Sequence, residues 1–265
     1  MRLSRTSRAI LGGLTAVILA LIYLPLAVVF VNSFSTSTNL TWPPPGFTFK
    51  WWIRAFQNEG ALEALRTSVE VALASTAIAL VLGTLISLAL QRHKFFGRDA
   101  VSLLVILPIA LPGIVTGIAL NNAFRTVMDV RLGIATIIVA HATFCIVTVF
   151  NNVIARLRRM GTSLEEASAD LGAGVWTTFR LVTFPQLRSA LFAGGLLAFA
   201  LSFDEIIVTT FTAGAGDKTL PLWILDNLFR PNQAPIVNVI AVVLVLVSII
   251  PIYIAQRITA GSPTR

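Results

Sequence analysis

Six apolar runs, each long enough to cross a bilayer, limit what this chain can fold into. Hydrocarbon offers no water to backbone N–H and C=O groups, so a crossing segment must satisfy them internally. A helix needs about 20 mainly apolar residues to cross a core of about 30 Å. By that measure spans are expected at about 9–32, 62–90, 99–122, 132–155, 187–212 and 236–257 of the 265 residues. The expected fold class is an all-α membrane protein, a single transmembrane domain over 1–265 with six transmembrane helices. The composition agrees, with 56% hydrophobic and 12% charged residues against about 45–50% and 25% in a soluble domain. The first run is also longer than the apolar core of a cleaved signal peptide, about 7–15 residues, and is expected to stay as a membrane helix.

An even number of spans puts both termini on one side, and the basic residues choose which. Arg2, Arg5, Arg8, Arg92, Lys94, Arg98, Arg156, Arg158, Arg159, Arg180, Arg188, Arg257 and Arg265 fall on one side. Lys50, Arg54, Arg66, Arg125, Arg131, Lys218 and Arg230 fall on the other. Thirteen against seven assigns the first set, with both termini, to the cytoplasm. The net charge of +8 reflects this bias. Nucleic-acid binding, the other reading of a basic chain, needs a charge-rich face, and the long uncharged segments supply none.

Between the first two spans, the outer loop 33–61 carries Trp42, Pro43, Pro44, Pro45, Trp51 and Trp52. Its prolines oppose regular helix and its tryptophans suit the headgroup level, so interfacial anchoring is expected. The third span carries Pro108, Pro112, Gly113 and Gly117. The prolines predict kinks, and Gly113-xxx-Gly117 predicts a flat stripe where another helix packs closely.

Catalytic chemistry is missing from the sequence. Neither His93 nor His141, the two histidines, stands in a set of Cys, His, Asp or Glu residues that reads as a metal site. No nucleophile stands beside a base. Gly214-Ala-Gly-Asp-Lys218-Thr219 departs from the phosphate-cradling loop because Asp217 separates Gly216 from Lys218. The expectation is a chain without enzymatic activity, metal or bound cofactor, in which any ATP and magnesium belong to a partner. Cys145, the only cysteine, is expected to be a small apolar filler.

The mostly polar segment 163–186, SLEEASADLGAGVWTTFRLVTFPQ, interrupts the apolar pattern on the cytoplasmic side. Ser163-Leu-Glu-Glu166 fits a capping box, which predicts a helix from Leu164 to about Leu171. Gly172 is a natural left-handed terminator. A second helical piece, about Val175–Leu181, then leads to Pro185 and the fifth span. A short helix, a glycine turn and a second short helix make a rigid knob, suited to transmitting a push.

Glu166-Ala167-Ser168, Asp170-Leu171-Gly172-Ala173, Trp176, Phe179 and Pro185 resemble the EAA loop of inner-membrane permease subunits of ABC importers. Ser168 stands where that motif has its second alanine, and Arg188-Ser189-Ala190 replaces the usual Pro-Gly. The resemblance implies a type I importer permease (MetI-like) fold in the bacterial cytoplasmic membrane. It implies that Glu165, Glu166, Ala167, Asp170, Leu171, Gly172 and Ala173 form the ATPase-coupling surface, with Glu166, Ala167 and Gly172 at the contact. The implied partners are an ABC ATPase dimer holding ATP and magnesium, a second homologous permease, an extracytoplasmic solute-binding protein and membrane lipid.

Three carboxylates fall inside expected spans, where an ionisable group costs at least about 2.5–3.5 kcal/mol at the bilayer centre. Glu70 lies one helical turn from Arg66 and is expected to pair with it, which leaves it the weakest substrate-path candidate. Asp204 and Glu205 have no basic residue within a turn. They can attract a cationic substrate or pair with an arginine of a second permease. Leu201-Ser-Phe-Asp204-Glu205-Ile-Ile-Val208 is similar to the matching stretch of the spermidine/putrescine permease branch, the PotC-like subunits. That resemblance implies a small amine, a polyamine first, with 4-aminobutyrate or another amino-acid-like solute as the alternative. A secondary transporter needs an internal repeat with broken, ion-coordinating helices, and no inverted repeat is evident.

Overall fold

The computed structural model describes residues 4–38, 41–230 and 232–260, with side chains described through Ile249 and at Tyr253. Arg2, Arg265 and the Arg257 side chain, used above for orientation, lie outside the described residues. Twelve α-helices are described: α1 Arg5–Asn32, α2 Lys50–Phe56, α3 Glu59–Arg92, α4 Arg98–Ala110, α5 Gly113–Asn122, α6 Ile134–Met160, α7 Ser163–Asp170, α8 Val175–Thr178, α9 Phe184–Phe203, α10 Ile207–Thr212, α11 Leu220–Leu228 and α12 Ala234–Ala260. Single π-helical turns follow α5 (Ala123–Val127) and α8 (Phe179–Thr183).

Among the described residues, α1, α3, α6 and the continuous stretch Val175–Phe203 are long and apolar enough to cross a membrane. A fifth crossing exists if α4 and α5 count as one, and α12 is apolar over Ala234–Ile249, the part whose side chains are described. Two of the six expected spans are therefore interrupted. The run 99–122 is bent by 108° between α4 and the helix that follows. Leu111 there is extended, as a residue before proline prefers, and Pro112 has no N–H to continue the ladder. The run 187–212 stops as a helix at Phe203 and resumes as α10 after three residues.

The chain divides into two units, Met1–Leu62 with Ile224–Val247 and Glu63–Trp223 with Ser248–Arg265. In the first, α1 leaves its apolar surface exposed until Asn32. The described residues of the loop that follows hold more structure than its prolines predict. Ser35 bridges Phe47 across the loop, and α2 forms beyond Pro45, where the chain is free of proline. Trp51 is buried, and its indole N–H donates to the Ser35 carbonyl at 2.8 Å. The Lys50 and Arg54 cations lie 5.4 and 5.3 Å from the Trp51 ring centroid.

In the second unit α6 is the central helix. One side packs on α9 through a core of Cys145, Val149, Val153, Leu157, Leu187 and Ala198, with Ala79 of α3 completing it. Small residues allow this approach: a Cβ on Gly194 would stand 3.3 Å from the Val149 Cα. Polar groups inside the bundle turn to backbone carbonyls. Ser75 and Ser87 of α3 donate to Ile138 and Phe150 of α6 at 3.0 and 3.3 Å. The Cys145 thiol donates to Ala198 at 3.3 Å, which gives the buried filler a weak tie across the helix pair. Gly113 and Gly117 face α10, where a Cβ on Gly117 would come within 2.7 Å of the Phe211 ring. The glycine stripe thus permits the close helix contact its spacing predicts.

Candidate functional site

Two features of the second unit gather the residues singled out in the sequence, one at each end of α9. At one end stands α7. Gly161, at φ +66, ends α6 and turns the chain. Thr162 becomes the N-cap, its carbonyl accepting from the N–H groups of Glu165 and Glu166 at 3.0 and 2.9 Å. The expected capping box does not form, because Ser163 is already the first helical residue and no side chain caps this end.

The opposite end of α7 closes as the sequence predicts. Gly172 adopts φ +79. Its N–H donates to the Ala169 carbonyl at 2.8 Å and the Ala173 N–H donates to Ser168 at 3.1 Å. This is the paired closure in which a left-handed residue satisfies the last carbonyls of a helix.

Glu165 points inward, away from the surface. Arg92, at the end of α3, donates from Nη2 to Glu165 Oε1 at 3.0 Å, a charge-assisted hydrogen bond, and its Nε lies 2.9 Å from Oε2 as an ion pair without a second hydrogen bond. The Thr183 hydroxyl donates to the same carboxylate at 2.8 Å, and the Ser168 and Thr178 hydroxyls share a hydrogen bond of 3.0 Å. Only 14% of the Arg92 side chain and 21% of Glu165 are exposed, so water competes weakly. α7 is braced against α3, α8 and the π-helical turn at once. The expected second helix, Val175–Leu181, is a single α-turn that runs through that π-helical turn into α9 without interruption. Pro185 sits within the first two positions of α9, where its missing N–H does no harm.

What remains on the surface is a compact patch. Glu166, Ala167, Asp170, Leu171 and Gly172 are exposed and Ala173 is half-buried. Leu171, at 89% exposure, is an apolar side chain held out from a rigid turn.

At the far end of α9, about 30 Å away at 1.5 Å per residue, the helix stops at Asp204. The acidic pair separates there. Glu205 caps α10, its carboxylate accepting from the Val208 N–H at 2.8 Å. Asp204 is exposed and meets no basic side chain among the described residues.

Behind the break lies a residue whose role the sequence concealed. His141 of α6 is fully buried, with Nδ1 2.8 Å from the Ser202 hydroxyl and Nε2 2.9 Å from that of Thr209. The Thr209 hydroxyl donates to the Glu205 carbonyl at 3.0 Å, so Nε2 carries the proton toward Thr209 and Nδ1 accepts from Ser202. His141 thereby joins the last turn of α9 to α10 across the gap. The amide of Asn121 holds the other side of α10 by donating to the Phe211 carbonyl. Glu70 stands apart from the break in the contacts it makes, paired with Arg66 at 2.7 Å as the four-residue spacing predicts.

The comparisons with known proteins fit this geometry. The family model "Binding-protein-dependent transport system inner membrane component" matches residues 78–261. The chain is 32% identical over 259 residues, 97% of its length and 96% of the relative's, to the spermidine/putrescine transport system permease protein PotC of Escherichia coli (strain K12). It is 30% identical to the putrescine transport system permease protein PotI of the same organism, covering 83% of this chain and 80% of that one. A putative 2-aminoethylphosphonate transport system permease, PhnV of Salmonella typhimurium (strain LT2), is 28% identical over 87% of each chain. Among solved structures, a chain of a bacterial ABC transporter that imports the acidic polysaccharide alginate superposes with a TM-score of 0.74 at 17% identity. The match covers 97% of this chain and 99% of that one. A chain of the MetNI methionine ABC transporter gives 0.60 at 19% identity, over 76% and 94%. A family match over more than half the chain, and relatives at this identity over nearly its whole length, lead to one conclusion: this multi-span membrane protein belongs to the inner-membrane permease family of binding-protein-dependent ABC importers.

Proposed function

We propose that the chain is a permease subunit that carries a small amine, a polyamine such as spermidine or putrescine, through an ATP-driven importer. The observation that carries the coupling half of this reading is the braced α7 with its exposed patch. A helix tied to α3 and to the π-helical turn that leads into α9 by the Arg92–Glu165–Thr183 set cannot move alone. A push on Glu166, Ala167, Leu171 or Gly172 therefore reaches two membrane helices. The ATPase dimer, which holds ATP and magnesium, docks on this patch, and its closure opens the path toward the external binding protein. A second homologous permease forms the other wall of the path. The working unit is one domain over 1–265 with six crossings, the α4–α5 pair supplying the bent one and α12 the last. Both termini and α7 face the cytoplasm.

The substrate half rests on Asp204. Its carboxylate stands at the carbonyl end of α9, where the helix dipole adds partial negative charge, and no cation answers it among the described residues. That arrangement favours an ammonium group. The relatives named for spermidine, putrescine and 2-aminoethylphosphonate share an amine, which also keeps 4-aminobutyrate or another amino-acid-like solute as the second reading. Glu205, engaged in capping, and Glu70, paired with Arg66, are weaker contributors. Asp204→Asn is expected to raise the apparent KM for amine uptake about tenfold, within the range of a lost charge-assisted hydrogen bond, while the complex still assembles. Unchanged uptake kinetics for every amine would remove Asp204 from the path.

A further inference from the structure

Beside the braced helix lies a cavity of about 990 Å³ that the transport reading does not use. It is a groove between α3 and the helix that runs from α8 into α9. Leu80, Leu85 and Leu88 form one wall, and Trp176, Phe179 and Phe192 line the other. Arg188 is its only charged lining residue, and its guanidinium pairs with no carboxylate among the described residues.

The dimensions are those of one leaflet. Leu80 to Leu88 spans about 12 Å along α3, against about 15 Å for half of a typical hydrocarbon core. Arg188 stands at the start of the fifth expected span (187–212), at the edge of the hydrocarbon, while Trp176 lies about 18 Å further along the same continuous helix. The groove thus offers apolar walls at acyl-chain depth and a single cation at the phosphate level. A transmembrane helix from another subunit would extend past such a groove and leave Arg188 buried without an acid. A zwitterionic lipid would answer the guanidinium less well than a lipid with net negative charge.

We propose that this groove is a binding site for an anionic phospholipid of the cytoplasmic leaflet, its acyl chain along α3 and its phosphate on Arg188. The site depends on the membrane orientation of the chain and not on which solute is carried.

The test uses the assembled importer in nanodiscs of phosphatidylcholine with a minor fraction of phosphatidylglycerol, with lipids retained after extraction counted by native mass spectrometry. The wild type is expected to retain phosphatidylglycerol in preference. Arg188→Gln should lose that preference about fivefold, the contribution of one basic residue near an anionic surface, and Arg188→Lys should keep it. Leu85→Trp, which fills the groove from a position already exposed, should lower retention of both lipids. Equal phosphatidylglycerol retention in Arg188→Gln would overturn the proposal. A photo-reactive group at Phe192 is expected to label lipid, and labelling of a second permease helix would overturn it as well.

Discussion

Gly172 can be perturbed without introducing any clash, which isolates the effect of backbone shape on coupling. Its φ is +79, and a Cβ there would meet no atom within 4 Å. A side chain at this position therefore acts only through the backbone, at about 1–2 kcal/mol for an unbranched residue held left-handed. The chain can escape that strain by rotating to negative φ, which breaks the bonds from Gly172 to Ala169 and from Ala173 to Ser168. Each is worth about 1 kcal/mol net, so either route costs about 2 kcal/mol. That is too little to unfold the bundle, and with the two routes near equal an unbranched side chain displaces the turn in up to about half of the molecules, a branched one in more. Asn, which tolerates the left-handed region, is expected to act like glycine. Ala should be intermediate, and Val, branched at Cβ, the worst. The assay pairs co-elution of the ATPase from solubilised membranes with uptake into proteoliposomes at matched permease levels. Both should fall in the order Gly, Asn, Ala, Val. Full association and uptake in Gly172→Val would refute the claim that a fixed turn is required.

Two further outcomes follow from the packing. Arg92→Gln and Glu165→Gln are each expected to cost about 1–3 kcal/mol, between exposed and fully buried ion pairs. Both should uncouple ATP hydrolysis from uptake, and the double variant should do no more harm than either single one, which ATPase and uptake rates in one preparation would show. His141→Phe should leave the Ser202 and Thr209 hydroxyls without their shared partner and lower stability by about 1–3 kcal/mol. A thermal unfolding midpoint equal to the wild type would count against the tie across the α9–α10 break.

How much of this was legible in the sequence depends on whether the cause was local. The apolar runs, the Arg66–Glu70 pair, the glycine stripe on α5 and the left-handed turn at Gly172 arise from neighbouring residues, and the sequence reading finds them. Pro112 signals a kink, but the 108° bend also requires α5 to lie against α10, a contact no local pattern contains. The stop at Asp204 has no glycine or proline to announce it. It is held by His141, more than sixty residues earlier in the chain. The capping box at Ser163 fails for a similar reason: Gly161 moves the helix start by one residue, and the Glu165 carboxylate is claimed by Arg92 and Thr183 from other elements.

The central claim is that the α7 patch is where the ATPase acts on this permease. Site-directed cross-linking tests it most directly, because the single native cysteine, Cys145, is buried and silent. With cysteines introduced singly at Ala167 and Leu171, and at Phe96 in the neighbouring loop, the assembled importer is treated with a short thiol cross-linker with and without ATP. The account predicts cross-links from Ala167→Cys and Leu171→Cys to the ATPase, altered in yield by ATP, and few from Phe96→Cys. Cross-links from Phe96→Cys alone, with none from the α7 patch, would contradict it.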